Sequence, residues 1–204
     1  MATKQPFTSH HPFTPANAAI VLVDHQPGVL GMVGSLPADV VTRNAGTLAR
    51  LGEQLGIPLI VTSTRETLEF LGTNLESIRA GAPKAYAERV RRAGTLNAFH
   101  DPAFVEAIKH TGRQNLVIAG LLTDVCLFHS VVSALDAGYS VQVVVDASGT
   151  STALGDVVTY DRLRDLGAVP TTTYGTLFEL FPDLSTPEGQ RAEGVAAASL
   201  ASVA

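Results

Sequence analysis

Cysteine and tryptophan are the scarce residues of this chain, with one cysteine, Cys126, and no tryptophan in 204 positions. A lone cysteine excludes an internal disulfide and suits a reducing compartment. Aromatic residues make up only 6%, so the core must be built from Val, Leu, Ile and Ala. Basic charge is short as well. The formal net charge is −5, and the run Arg89-Val90-Arg91-Arg92 is too brief to offset it, which argues against a nucleic-acid partner. No apolar run reaches the roughly 18 residues that a membrane span needs. The polar, Pro-containing start, through His10-His11-Pro12, has no apolar segment of the signal-peptide kind. A cytoplasmic protein with no membrane or nucleic-acid partner is expected.

Hydrophobic residues at 46% and charged residues at 16% describe one ordinary globular domain with a substantial core. Residues 1–16 read as a surface arm, 17–183 as the domain, and 184–204 as an Ala-rich tail, either frayed or docked on a neighbouring subunit. Apolar runs at 18–23, 57–62, 116–122 and 140–145 predict buried strands. Residues 168–174 predict a last strand, confined to a sheet edge by Pro170. Helical spacing predicts helices over 39–56, from Asp101-Pro102 to Gly112, over 125–138, 156–166 and 175–182. Residues 62–92 carry no clear period and read as a lid or binding loop. Strands alternating with helices place the chain in the α/β class, as a single-domain parallel β-sheet with helices on both faces.

The most informative stretch is Leu116 to Thr150, a strand–turn–helix–strand unit with Cys126 in its turn. Thr123 or Asp124 suits the N-cap of the helix. At a helix start the free N–H groups and the dipole would lower the thiol pKa and could hold an oxyanion. The same position also suits a small hydrophobe in the core. Asp24 ends the first strand, where open α/β sheets place their ligands, and it equally suits the cap of the next turn.

Three pieces stand in order: Val21-Leu22-Val23-Asp24-His25-Gln26, then Arg92-x-Gly94-x-x-Asn97-Ala98-Phe99, then Ala119-Gly120-Leu121-Leu122-Thr123-Asp124-Val125-Cys126. Together they resemble the isochorismatase-like cysteine hydrolases, and within these the YcaC-like hydrolase group, over roughly residues 18–174. The resemblance implies a Rossmann-like three-layer sandwich, usually a homo-oligomer, acting on a small-molecule substrate. It implies a catalytic set in which Asp24 is the general base, Cys126 the nucleophile that forms a thioester, and Arg92 the cation. Much of the superfamily has lysine at that last position, and Lys84 is the fallback. It further implies a cis Leu121–Leu122 bond and an oxyanion hole formed by the N–H groups of Leu122 and Cys126. Gln26, Asn97, Phe99 and Thr123 are candidates for the substrate pocket. The implied reaction is hydrolysis of a small amide or related C–N bond. The alternatives are vinyl-ether hydrolysis of the isochorismate kind and a catalytically silent, oligomeric metabolite-binding protein.

Metal-binding relatives carry an Asp-x-His pattern after the second strand. This chain has Thr62-Ser63-Thr64-Arg65-Glu66 there, with no histidine before His100. No metal or other cofactor is expected.

Overall fold

In the computed structural model residues 13–201 are described; the arm proposed for residues 1–16 therefore lies largely outside the described residues. Six parallel strands form one sheet in the order β3-β2-β1-β4-β5-β6. They are β1 (Ala18–Val23), β2 (Leu59–Thr64), β3 (Val90–Arg92), β4 (Asn115–Gly120), β5 (Ser140–Val144) and β6 (Val169–Thr171). The order reverses between β1 and β4, so the sheet has its switch point there, and ligands in such sheets bind beyond the carboxyl ends of those two strands. Asp24 follows β1 directly and Cys126 follows β4 by six residues.

The helices are α1 (Pro27–Leu30), α2 (Ala38–Leu55), α3 (Glu76–Gly81), α4 (Pro83–Ala87), α5 (Pro102–His110), α6 (Phe128–Asp136), α7 (Ala153–Asp165), α8 (Thr173–Leu180) and α9 (Pro187–Ala201). Side chains alternate across each strand. Ala18, Ile20 and Leu22 join Val117 and Ala119 in a core against α2, α8 and α9. Ala19, Val21 and Val23 join Leu116 and Ile118 in a second core with Phe104, Val131 and Leu163 of α5, α6 and α7. Both faces are covered, as the uninterrupted apolar strands require.

The aperiodic stretch after β2 is more structured than its pattern indicates. It holds α3, α4 and the short strand β3, whose three residues are too few to register as a period. The described part of the tail is ordered in this chain. It forms α9, whose Ala192, Val195 and Ala196 pack into the α2 core of the same chain. Among the described residues no helix is long and apolar enough to cross a membrane.

Candidate active site

Alternation along β1 would send the next residue, Asp24, toward α2 with Ile20 and Leu22. Instead Asp24 adopts a left-handed φ of +57°, rare for a residue with a β-carbon. Its carboxylate is turned toward the α6 side, where Oδ2 accepts a hydrogen bond from Arg92 Nη2. Both side chains are fully buried. Arg92 closes β3 and is tied down at every nitrogen. Nε donates to Thr62 Oγ1 at 3.0 Å, and Nη1 donates to the carbonyls of Thr95 and Leu96. Thr62, a β2 side chain, escapes sequence reading because a threonine in a strand signals only β-propensity.

His25 takes the place that Asp24 vacates. It is buried, and its Nε2 bonds to the Ala147 carbonyl at 2.8 Å while Nδ1 has no hydrogen-bond partner. Burial pushes its pKa down to about 4 from 6.5, with the Ala147 bond opposing. The folded imidazole thus binds fewer protons than the unfolded one between these values. The stability this protects is complete above pH ~6.5 and is lost as pH falls toward 4, by about 3 kcal/mol. Urea midpoints measured from pH 7.5 to 4 should fall accordingly, and His25→Gln should flatten that slope; an equally steep slope in the variant would assign it elsewhere.

Cys126 lies in a π-turn, Thr123–Leu127, that leads into α6. Leu127 N–H reaches back to the Leu122 carbonyl at 3.1 Å. The N-cap is Leu122 with no side-chain cap, so neither Thr123 nor Asp124 caps the helix as its sequence pattern indicates. Asp124 is drawn off by Thr150, whose Oγ1 donates to its Oδ1. The Leu121–Leu122 peptide bond is cis. Among the described residues the Leu122 N–H makes no hydrogen bond.

The thiol is not the low-pKa thiolate that a helix start implies. Burial, and then the nearby Asp24 carboxylate, push the Cys126 pKa up to about 12, while Arg92 opposes. Burial likewise raises Asp24, against the pull of Arg92. Both acids shift upward because the pocket beside one guanidinium holds one negative charge comfortably and two poorly. Asp24 Oδ1 is buried and makes no conventional hydrogen bond, which leaves it open to the thiol beside it. Alkylation of Cys126 by iodoacetamide should therefore be slow at pH 7 and still climb at pH 10. Intact-mass time courses would show this, and a plateau near pH 7 would contradict it.

Cys126 keeps 5% exposure, so the residue is nearly closed off from solvent. A concavity of about 1320 Å³ lies elsewhere along β2, α4 and α5, and touches none of the three residues. Lys84 lines that groove, which leaves Arg92 as the cation at Asp24.

The pocket candidates are mostly occupied with building the site. Gln26 is buried and uses its amide on Thr64 N and O and on Gly72 O. Asn97 caps Phe99 N–H and donates to Ser133 Oγ. Phe99 packs edge-on against Phe104. Thr123 is buried, with its hydroxyl 3.5 Å from Tyr160 Oη. Among the described residues no group of three His, Cys, Asp or Glu side chains could hold a metal ion.

Comparison with known proteins points to one family. A model of the isochorismatase domain matches residues 18–174. The probable hydrolase YcaC of Escherichia coli is 36% identical over 170 residues, covering 82% of this chain and 79% of that protein. The Escherichia coli YcaC crystal structure, an octameric hydrolase of unknown specificity, superposes with a TM-score of 0.82 at 34% identity over 87% of this chain and 86% of that one. YcaC from Pseudomonas aeruginosa, with hexane-2,5-diol and covalent acrylamide, gives 0.86 at 29% identity over 96% of each chain.

Proposed function

The chain belongs to the isochorismatase family, and we propose that it hydrolyses a small amide, or a related C–N bond, through a thioester on Cys126. Asp24 Oδ1 accepts the thiol proton as sulfur attacks the carbonyl carbon. The N–H groups of Leu122 and Cys126 take the charge that develops on the carbonyl oxygen. Collapse breaks the C–N bond, and the amine leaves with the proton that Asp24 holds. Water then attacks the thioester and gives a proton to Asp24; the acid departs and the thiol recovers its proton. Arg92 stays protonated throughout. It serves as counter-ion to whichever partner carries the charge, and it moves no proton.

One observation carries this reading: a buried carboxylate with one oxygen tied to a guanidinium and the other without a hydrogen bond, beside a buried protonated thiol. The covalent acrylamide in the Pseudomonas aeruginosa relative is consistent with it, acrylamide being both an electrophile and a primary amide. The octameric Escherichia coli relative favours a homo-oligomer here too.

Intact-protein mass spectrometry after incubation with small amides tests the reaction. The expected result is a mass gain equal to the acyl group, located on Cys126 and absent from Cys126→Ser. If no amide leaves an adduct and Cys126→Ser hydrolyses isochorismate as fast as the wild type, the vinyl-ether reading replaces this one. If nothing is turned over and both proteins bind one metabolite alike, the chain is a binding protein.

A further inference from the structure

Among the described residues only two besides glycine hold a left-handed φ, Asp24 at +57° and Arg65 at +46°. Such backbone persists only where the surroundings enforce it, and it gathers at functional sites. Both residues directly follow neighbouring strands at the carboxyl edge, Asp24 after β1 and Arg65 after β2. Parallel strands run roughly 5 Å apart. Arg65 also touches the Arg92 segment. Its N–H donates to the Arg92 carbonyl at 2.9 Å. A β-carbon built on Gly94 would lie 3.3 Å from Arg65 Cδ and 3.4 Å from Cγ, so the stem of the side chain lies along the loop that Arg92 Nη1 holds through Thr95 and Leu96.

What sets Arg65 apart is its head group. Arg92 is committed to Asp24, and Arg89 and Arg91 to Glu66. The other arginines all have a hydrogen bond, an ion pair or a ring contact. Among the described residues the Arg65 guanidinium alone has none, and it is exposed. Exposed apolar side chains flank it in the same loops, Leu68 and Leu96. A free five-donor fork on a residue at the carboxyl edge of the sheet, the edge that carries Asp24 and the Cys126 turn, matches a planar anion with two acceptor oxygens.

We propose that Arg65 selects the substrate by binding its carboxylate, so that the amides this site turns over are small and carry an acid group at the end remote from the scissile bond. This rests on the Cys126 hydrolase reading and narrows its substrate class. Arg65 is a specificity-determining residue and takes no part in proton transfer.

The test uses the full chain and two amides of equal length, succinamate and butanamide, with wild type, Arg65→Gln and Arg65→Lys. The wild type should prefer succinamate in kcat/KM. Arg65→Gln should lower that preference roughly 10- to 100-fold, mainly through KM, as expected for the loss of a charge-assisted hydrogen-bonded pair. Arg65→Lys should keep part of it, since a point charge replaces a fork. Added salt should shrink the preference in wild type and leave it unmoved in Arg65→Gln. An unchanged preference in Arg65→Gln overturns the proposal. So does an unchanged preference with a smaller assembly by light scattering, which would make Arg65 an interface residue. Intact mass on the same samples separates the two readings. A Cys126 adduct from either amide with no Arg65 dependence leaves the hydrolase standing and removes only the carboxylate selection. No adduct from either amide, together with no turnover, removes both.

Discussion

Asp24→Asn should lower kcat/KM toward the proposed amide substrate by roughly 10²- to 10⁴-fold, the range that a positioned general base contributes. The carboxamide keeps the shape of the carboxyl but cannot take the thiol proton, and burial still opposes the thiolate, although less strongly than in the wild type because the Asp24 carboxylate no longer adds to it. The pH profile carries the sharper signature. Burial raises Asp24 above the ordinary carboxylate value, so the acid limb of wild-type kcat/KM should lie above the usual carboxylate range, on the side where Asp24 becomes ionised. In Asp24→Asn that limb should vanish, and activity should instead rise toward alkaline pH as the thiol ionises directly. Substitution here also strips Arg92 of its counter-ion, so urea denaturation must show the variant folded at the assay temperature. A folded Asp24→Asn protein with near wild-type kcat/KM would remove Asp24 from the proton path.

Arg92→Ala should cost about 3–5 kcal/mol of stability, the usual penalty for removing one member of a buried ion pair. The loss has two sources. Asp24 is left as an uncompensated buried charge, and the carbonyls of Thr95 and Leu96 lose the donor that holds their loop. The pH dependence distinguishes the first. Without Arg92 the main offset to the effect of burial on Asp24 is gone, so its folded pKa rises further above the unfolded value near 3.9. A raised folded pKa means that stability is present below the unfolded value and lost as pH rises through the folded one. The gap between wild type and Arg92→Ala should therefore be widest at neutral pH and narrow as pH falls. Asp24→Asn/Arg92→Ala should be more stable than the two single losses summed, because the charge that needed a partner is gone. A gap below about 1 kcal/mol, or one that does not change with pH, would mean that the pair is far better solvated than its burial indicates.

Much of the architecture was legible locally. The bounds of β1 are legible in the sequence, because six apolar residues end abruptly at Asp24-His25-Gln26-Pro27. Gly56 marked the end of α2 and takes the left-handed C-cap that only glycine adopts freely. Pro170 put β6 at the sheet edge, where it lies. β3 was illegible because three residues cannot establish a period, and its pairing to β2 depends on contacts made across the intervening helices. Asp24, Arg92 and Cys126 stand out as candidates through the order of the three motifs that carry the family resemblance. The use made of Gln26, Asn97, Phe99 and Thr123 does not, since a polar or aromatic side chain near a site can face the ligand or brace the wall, and here their bonds brace it.

What the amino-acid order determined by itself is the alternation of buried strands and amphipathic helices, and with it a parallel sheet that brings Asp24 and the Cys126 turn to one edge. Those properties arise between residues a few positions apart. The charge state of the thiol, the turn of Asp24 away from its strand's alternation and the solitude of Arg65 were decided only in three dimensions. Each depends on burial or on a partner far along the chain, such as Arg92, 68 positions after Asp24, and the electrostatics of a buried group follow distance in space and loss of water, neither of which a one-dimensional pattern records.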